Sequence, residues 1–138
     1  MESYQHIGKY ISDIHKSSCI YFNKEFGKIG IGAGEYTFLL NLYRCDGITQ
    51  EELTEKVKLD KATTARAIKK LEDKGYVKRV KKENDRRAYK LEITEKADQI
   101  REKVYLIMDE WETKVKNCFT NEESQELMKL LNKLSKSF

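Results

Sequence analysis

Lys81-Lys82-Glu83-Asn84-Asp85-Arg86-Arg87-Ala88-Tyr89-Lys90-Leu91-Glu92-Ile93-Thr94 is the stretch on which the fold turns. Tyr89, Leu91 and Ile93 alternate with Lys90 and Glu92, the period of two expected of a half-buried strand. The preceding run from Tyr76 to Lys82 supplies a rougher partner strand. Together they predict a β-hairpin with a basic, polar tip. Arg86 and Arg87 stand at that tip beside Asp85, which can orient one of them. A planar, permanently charged guanidinium suits a narrow electronegative groove better than an ammonium does, so the hairpin points toward DNA.

Upstream of the hairpin lies a tightly punctuated unit. Thr49-Gln50-Glu51-Glu52 has the spacing of a capping box, with a short helix following through Val57. After Lys58-Leu59, Asp60 caps a further helix from Lys61 to about Lys74, which Gly75 closes. Two helices joined by about three residues, the second rich in cations, form a helix-turn-helix. With the hairpin, the unit over residues 35–94 reads as a winged helix.

Helical periodicity extends on both sides. Tyr4 to Phe26 repeats apolar residues at Tyr4, Ile7, Ile11, Ile14, Tyr21 or Phe22, and Phe26, and Gly27 to Gly34 is a glycine-rich loop. Glu35 to Cys45 turns Phe38, Leu39, Leu42 and Tyr43 inward. Thr94 caps a long helix reaching Phe119, with a seam of Ala97, Ile100, Val104, Ile107 or Met108, Trp111, Val115 and Cys118. Thr120 and Glu123 open a last helix bearing Leu127, Leu130, Leu131 and Leu134. The expected fold class is mainly α, with a two-stranded wing. The 138 residues fit one domain. Residues 1–27 and 95–138 carry apolar stripes that a small winged helix cannot cover alone, which predicts dimerisation helices.

Charge is unevenly placed. Residues 56–90 hold fourteen basic and five acidic residues, a local balance of +9 in a chain of net +4, so the remainder carries −5. Lysine outnumbers arginine 21 to six, yet Arg66, Arg79, Arg86 and Arg87 all fall in this segment. Such asymmetry suggests a polyanion-binding face, and arginine used against the chain's own bias suggests bidentate or groove contacts; the bland alternative is a solvated charged surface. No apolar run approaches the ~20 residues of a membrane span. Met1 to His6 lacks the start of a signal peptide. Three widely spaced cysteines, Cys19, Cys45 and Cys118, argue against a disulfide framework and for a reducing cytoplasm.

Element order and residues together resemble the MarR family of winged-helix transcriptional regulators, nearly end to end. The likeness is densest at Ile48-Thr49-Gln50-Glu51-Glu52-Leu53, Leu59 to Arg66, Leu71-Glu72-Asp73-Lys74-Gly75-Tyr76-Val77, Asp85-Arg86-Arg87 and Leu91-Glu92-Ile93-Thr94. Thr64 departs from the family's usual aliphatic residue, but its hydroxyl can bond back to the helix carbonyls. The resemblance implies a homodimer on a pseudo-palindromic operator in double-stranded DNA, usually as a repressor. It also implies release by a small aromatic or phenolic ligand between the dimerisation helices and the winged helix. Tyr10, Tyr36 and Tyr43 are candidates to line that pocket, although aromatics at this spacing are more often core.

On the helix from Lys61, one face holds Thr64, Ala67 or Ile68, and Leu71, and is expected in the core. The opposite face presents Lys61, Ala62, Thr63 and Arg66 to base edges: Ala62 and Thr63 suit a thymine methyl, and Arg66 a guanine edge. Lys69, Lys70 and Lys78 are phosphate candidates or plain surface. At the wing, the resemblance puts Asp85 beneath Arg87 for minor-groove insertion, with Arg86 on a phosphate or paired to Asp85. Two histidines, no Cys-x-x-Cys and no phosphate-cradling glycine loop make an enzyme a poor reading, and no cofactor or metal is expected. His15 and Cys19, four apart on one helix, could form a redox sensor or ligate a metal, or be a buried thiol beside a surface histidine. Cys45 and Cys118 are expected in the core. A winged-helix protein-interaction module is the competing reading from another class, and it leaves the clustered arginines unexplained.

Overall fold

The computed structural model describes residues 5–138, apart from the side chain of Arg86. The elements are α1 (Ile7–Gly27), α2 (Tyr36–Arg44), β1 (Ile48–Thr49), α3 (Gln50–Val57), α4 (Lys61–Asp73), β2 (Val77–Lys82), β3 (Asp85–Ile93), α5 (Glu95–Gln99), α6 (Arg101–Lys116) and α7 (Asn121–Ser135). Tyr4, expected to open the first helix, lies outside the described residues. The sheet is antiparallel in the order β1-β3-β2. It therefore holds one strand more than the hairpin predicts. β1 is two residues long, and a pair of residues is too short to display a period.

Local chemistry accounts for most of the boundaries. Thr49 Oγ1 accepts the Glu52 amide, Asp60 the Thr63 amide and Thr94 Oγ1 the Ala97 amide, each a side-chain N-cap. Thr120 and Glu123 form a complete, reciprocal capping box. Behind α4, Gly75 takes φ +82°, a conformation that side chains rarely adopt. Its amide bonds Glu72 O while Tyr76 N–H bonds Leu71 O, and so the chain turns directly into β2.

The core gathers Phe38, Leu39, Leu42 and Tyr43 of α2, Leu53 of α3, Ala67, Ile68 and Leu71 of α4, Leu91 of β3, and Val104 and Ile107 of α6. Thr64 is wholly buried, and its hydroxyl donates to Asp60 O at 3.0 Å. A buried hydroxyl needs such a partner, and the helix supplies it locally. Aromatic rings join α1 to the rest: Tyr36 stacks on Phe26 at 4.8 Å, and Trp111 lies 5.4 and 5.7 Å from Tyr21 and Phe22.

The long helix expected from Thr94 to Phe119 is broken at Ile100 (φ −97°, ψ 0°). The cause is distant in sequence. Tyr43 Oη donates to the Ala97 carbonyl at 2.6 Å, the acceptor that the Arg101 amide would use in an unbroken helix. Insertion of a side chain into the i→i−4 ladder is a known origin of kinks. Arg101 then covers the Tyr43 ring at 4.8 Å. Beyond α6, Cys118 is exposed and not in the core, because its face runs out of partners where that helix ends; Cys45 is half-buried.

Apolar residues remain uncovered at the two ends of the chain. α7 buries none of its residues, although it carries Met128, Leu130, Leu131 and Leu134 on one side. On α1, Ile7, Tyr10, Ile11 and Ile14 are all exposed, Ile7 by 73%.

Burial pushes the Tyr43 phenol up to about 12, so this group ties stability to alkaline pH. Below pH ~10 it is protonated in both folded and unfolded chains, and its hydrogen bond contributes in full. Between pH ~10 and ~12 the unfolded chain ionises first, and that contribution is lost. Tyr43→Phe should destabilise the protein by about 1 kcal/mol at neutral pH in urea titrations. The gap between parent and variant should narrow as pH rises through this window; a constant gap would contradict the assignment.

Candidate nucleic-acid interface

The α4 helix is set from behind. Thr64, Ala67, Ile68 and Leu71 anchor it in the core, which turns Lys61, Ala62, Arg66, Lys69 and Lys70 outward, all exposed. Its N-terminal turn carries a chain of contacts: Thr63 Oγ1 donates to Asp60 Oδ2 at 2.7 Å and accepts from Arg66 Nη2 at 3.3 Å. These bonds from Thr63, amide first, hold the Asp60 carboxyl below its ordinary range. Further along, Lys69 Nζ meets Asp73 Oδ1 at 2.9 Å, and that carboxylate raises its pKa. Both groups are largely exposed, so the pair contributes little to stability.

Among the described cations of the 56–90 segment, Lys74 and Arg79 are taken up by contacts within the protein, although both stay partly exposed. Arg79 Nε donates to Glu72 Oε2 at 3.0 Å and its Nη2 to Gln50 Oε1 at 3.0 Å, which fastens β2 to both α4 and α3. Lys74 Nζ lies 2.9 and 2.8 Å from the two Glu35 oxygens and 2.9 Å from Gly30 O. Glu35 is 3% exposed and also accepts the Gly32 amide at 2.8 Å. The pair ties the glycine-rich loop after α1 to the end of α4. Lys96 Nζ adds a bond to Lys74 O at 2.5 Å and sits over the Tyr76 ring. Sequence reading missed Glu35; the usable signal was an acid at the start of an apolar helix, directly after a glycine loop.

At the wing, Lys82 pairs with Asp85 while Lys81 pairs with Tyr89, so residues 86–88 bulge from the ladder at the tip. Asp85 Oδ1 accepts the backbone amide of Arg87 at 2.9 Å. The aspartate thus fixes the backbone that carries Arg87, where sequence reading had it beneath the guanidinium. Arg87 and Lys78 are exposed, and the side chain of Arg86 lies outside the described residues.

The three tyrosines are dispersed. Tyr10 is 51% exposed on α1, with its hydroxyl donating to Gln5 Oε1. Tyr36 packs on Phe26 and Phe22, and burial together with the Cys19 thiol raises its phenol. Tyr43 is core. His15 Nε2 lies 3.5 Å from Cys19 Sγ, and Cys19 is half-buried. Among the described residues no cluster of three or more His, Cys, Asp or Glu is arranged to hold a metal ion, and no helix is long and apolar enough to cross a membrane.

Known proteins share this arrangement. The sequence profile of the MarR family matches residues 31–89. The HTH-type transcriptional regulator YybA of Bacillus subtilis is 37% identical over 119 residues, 83% of this chain and 77% of its own. A MarR transcriptional regulator of Methanosarcina mazei Go1 superposes with TM-score 0.90 at 40% identity, over 95% of this chain and 94% of its own. A Listeria monocytogenes structure, described as a MarR family regulator complexed with 26mer DNA, has TM-score 0.89 at 26% identity over 97% and 89%.

Removing the cation from the Glu35–Lys74 pair should be the costlier half of a simple comparison. Lys74→Met leaves a buried carboxylate short of its charge partner and should cost about 1–3 kcal/mol, below the loss for a fully buried pair because the lysine is partly exposed. Glu35→Gln keeps an acceptor for Gly32 and for Lys74 and should cost less. Urea midpoints at neutral pH measure both, and equal losses would contradict this description of the pair.

Proposed function

Since the chain belongs to the MarR family of winged-helix transcriptional regulators, and is DNA-binding as they are, we propose that it acts as a homodimeric repressor on a pseudo-palindromic operator in the cytoplasm. A small aromatic or phenolic ligand would lower its DNA affinity. The observation that carries the DNA reading is the outward face of α4, a recognition helix pinned by its buried side and bearing Lys61, Ala62, Arg66, Lys69 and Lys70 toward solvent. Arg79 fixes the wing against that helix, so groove and wing contacts act as one body.

The homodimer reading is supported by the uncovered apolar sides of α1 and α7, which a second copy would cover. Residues 1–27 and 95–138 are then the dimerisation parts and 35–94 the DNA-binding part of a single domain. The ligand reading rests on family likeness. Of the three tyrosines, Tyr10 is the one most open to a ligand, while Tyr36 and Tyr43 support the pocket from the core side. The His15–Cys19 contact favours a second reading, redox control through Cys19; DNA binding that survives mild peroxide would exclude it.

A salt-titrated mobility shift tests the DNA reading. The logarithm of affinity should fall linearly with that of salt concentration, with slope about −0.9 per phosphate contact. A flat response would favour the protein-interaction module.

Single residues sharpen the test. Arg66→Ala should cost about 1–3 kcal/mol on the selected operator and relax discrimination at one base pair. Arg87→Ala should weaken binding broadly, with preference set by groove width. Asp85→Ala should also weaken binding, because it frees the Arg87 backbone, even though it removes a negative charge. Tighter binding by Asp85→Ala at moderate salt would make the wing a non-specific basic tip.

A further inference from the structure

The first turn of α4 holds more than a helix cap. Both oxygens of Asp60 are committed to Thr63: Oδ1 accepts its amide at 2.7 Å and Oδ2 its hydroxyl proton at 2.7 Å. Arg66 Nη2 reaches the same hydroxyl oxygen at 3.3 Å. An ionised carboxylate can only accept, and a guanidinium can only donate, so the direction of every bond is forced. Three consequences follow for a groove-facing surface. The Thr63 hydroxyl has no proton left for a base acceptor. Its oxygen is turned back toward Asp60, which leaves the methyl as the part able to meet a base. The Arg66 guanidinium is held at one nitrogen, with its other N–H donors available to an outside acceptor.

A cap alone does not call for this residue. Asparagine or serine caps about as well as aspartate, with one oxygen, and a carboxylate near phosphates opposes binding. What the carboxylate adds is the second oxygen that locks Thr63.

Resting on the DNA-binding reading above, we infer that Asp60 is a positioning residue for sequence recognition. Through Thr63 it sets Arg66 to read a guanine edge, and it leaves the Thr63 methyl to contact a thymine methyl nearby. The site thereby distinguishes thymine by its methyl group and guanine by paired N–H donors, without a direct contact from the acid that organises both.

DNA fragments selected from a random pool by the parent protein first define the preferred site. Asp60→Asn is the decisive variant. Asparagine retains the cap through its carbonyl oxygen, but an amide NH2, which can only donate, replaces the second oxygen, so the Thr63 hydroxyl loses the acceptor that fixes its proton. Thermal melting followed by circular dichroism verifies that it folds. Loss of a negative charge should leave affinity for random DNA unchanged or raised. The ratio of specific to random-DNA affinity should nonetheless fall at least about fivefold, with the loss concentrated at guanine. Thr63→Ser keeps the hydroxyl and lacks the methyl. It should be indifferent to replacing the contacted thymine by deoxyuridine, a change that weakens the parent.

If Asp60→Asn strengthens specific and random binding alike, or if Thr63→Ser responds to deoxyuridine as the parent does, the inference is overturned while DNA binding stands. If the parent selects no preferred site, the DNA-recognition reading fails and takes this inference with it.

Discussion

A carboxylate that is almost fully buried must have its charge met inside the protein, and Glu35 is the group on which the placement of α4 depends. Lys74 and the Gly32 amide answer that requirement, and Lys74 also takes Gly30 O. The helix that carries the exposed cations is therefore fastened at its C-terminal end to the loop leaving α1, while at its other end Asp60 caps its own first turn. Between these two points its apolar side is sealed into the core. A surface meant for a polyanion gains nothing from Lys74 directly. It gains a recognition helix whose orientation cannot drift from the helix that presents the exposed apolar stripe.

The same economy of contacts applies to Arg79. A cation count over residues 56–90 makes it one of fourteen equivalent positive charges, whereas its bonds to Glu72 and Gln50 make it a bracket between the wing and both helices of the helix-turn-helix. The electrostatic face is thus smaller than the sequence count implies, and better held. Asp85 repeats this logic at the wing tip, where its bond is to backbone and so constrains where Arg87 begins while leaving its guanidinium to reach outward.

What was legible in the sequence was what chemistry settles within a few residues. The caps at Thr49, Asp60, Thr94 and Thr120, the glycine that ends α4, and the buried side of α4 all follow from spacing, and all four caps form, although at Thr49 only the threonine half of the expected capping box with Glu52 is made. The alternation in β3 was equally readable, although Tyr89 at its outer end stays 40% exposed. What escaped was set by partners far along the chain. Tyr43 bonds Ala97 from 54 positions away and so breaks the helix after it, and Glu35 claims Lys74 from 39 away. β1 exists because β3 offers it an edge. Cys118 was misplaced because an apolar periodicity says which side is inward, and cannot say where the helix itself ends.

The central claim is that two copies of this chain present two α4 helices to one face of a DNA duplex. Hydroxyl-radical footprinting on the selected operator measures this most directly. The account predicts two protected patches on the same face, related by two-fold symmetry and centred about one helical turn, roughly 34 Å, apart or a multiple of it. A single short patch, or protection with no symmetry and no preferred face, would contradict it.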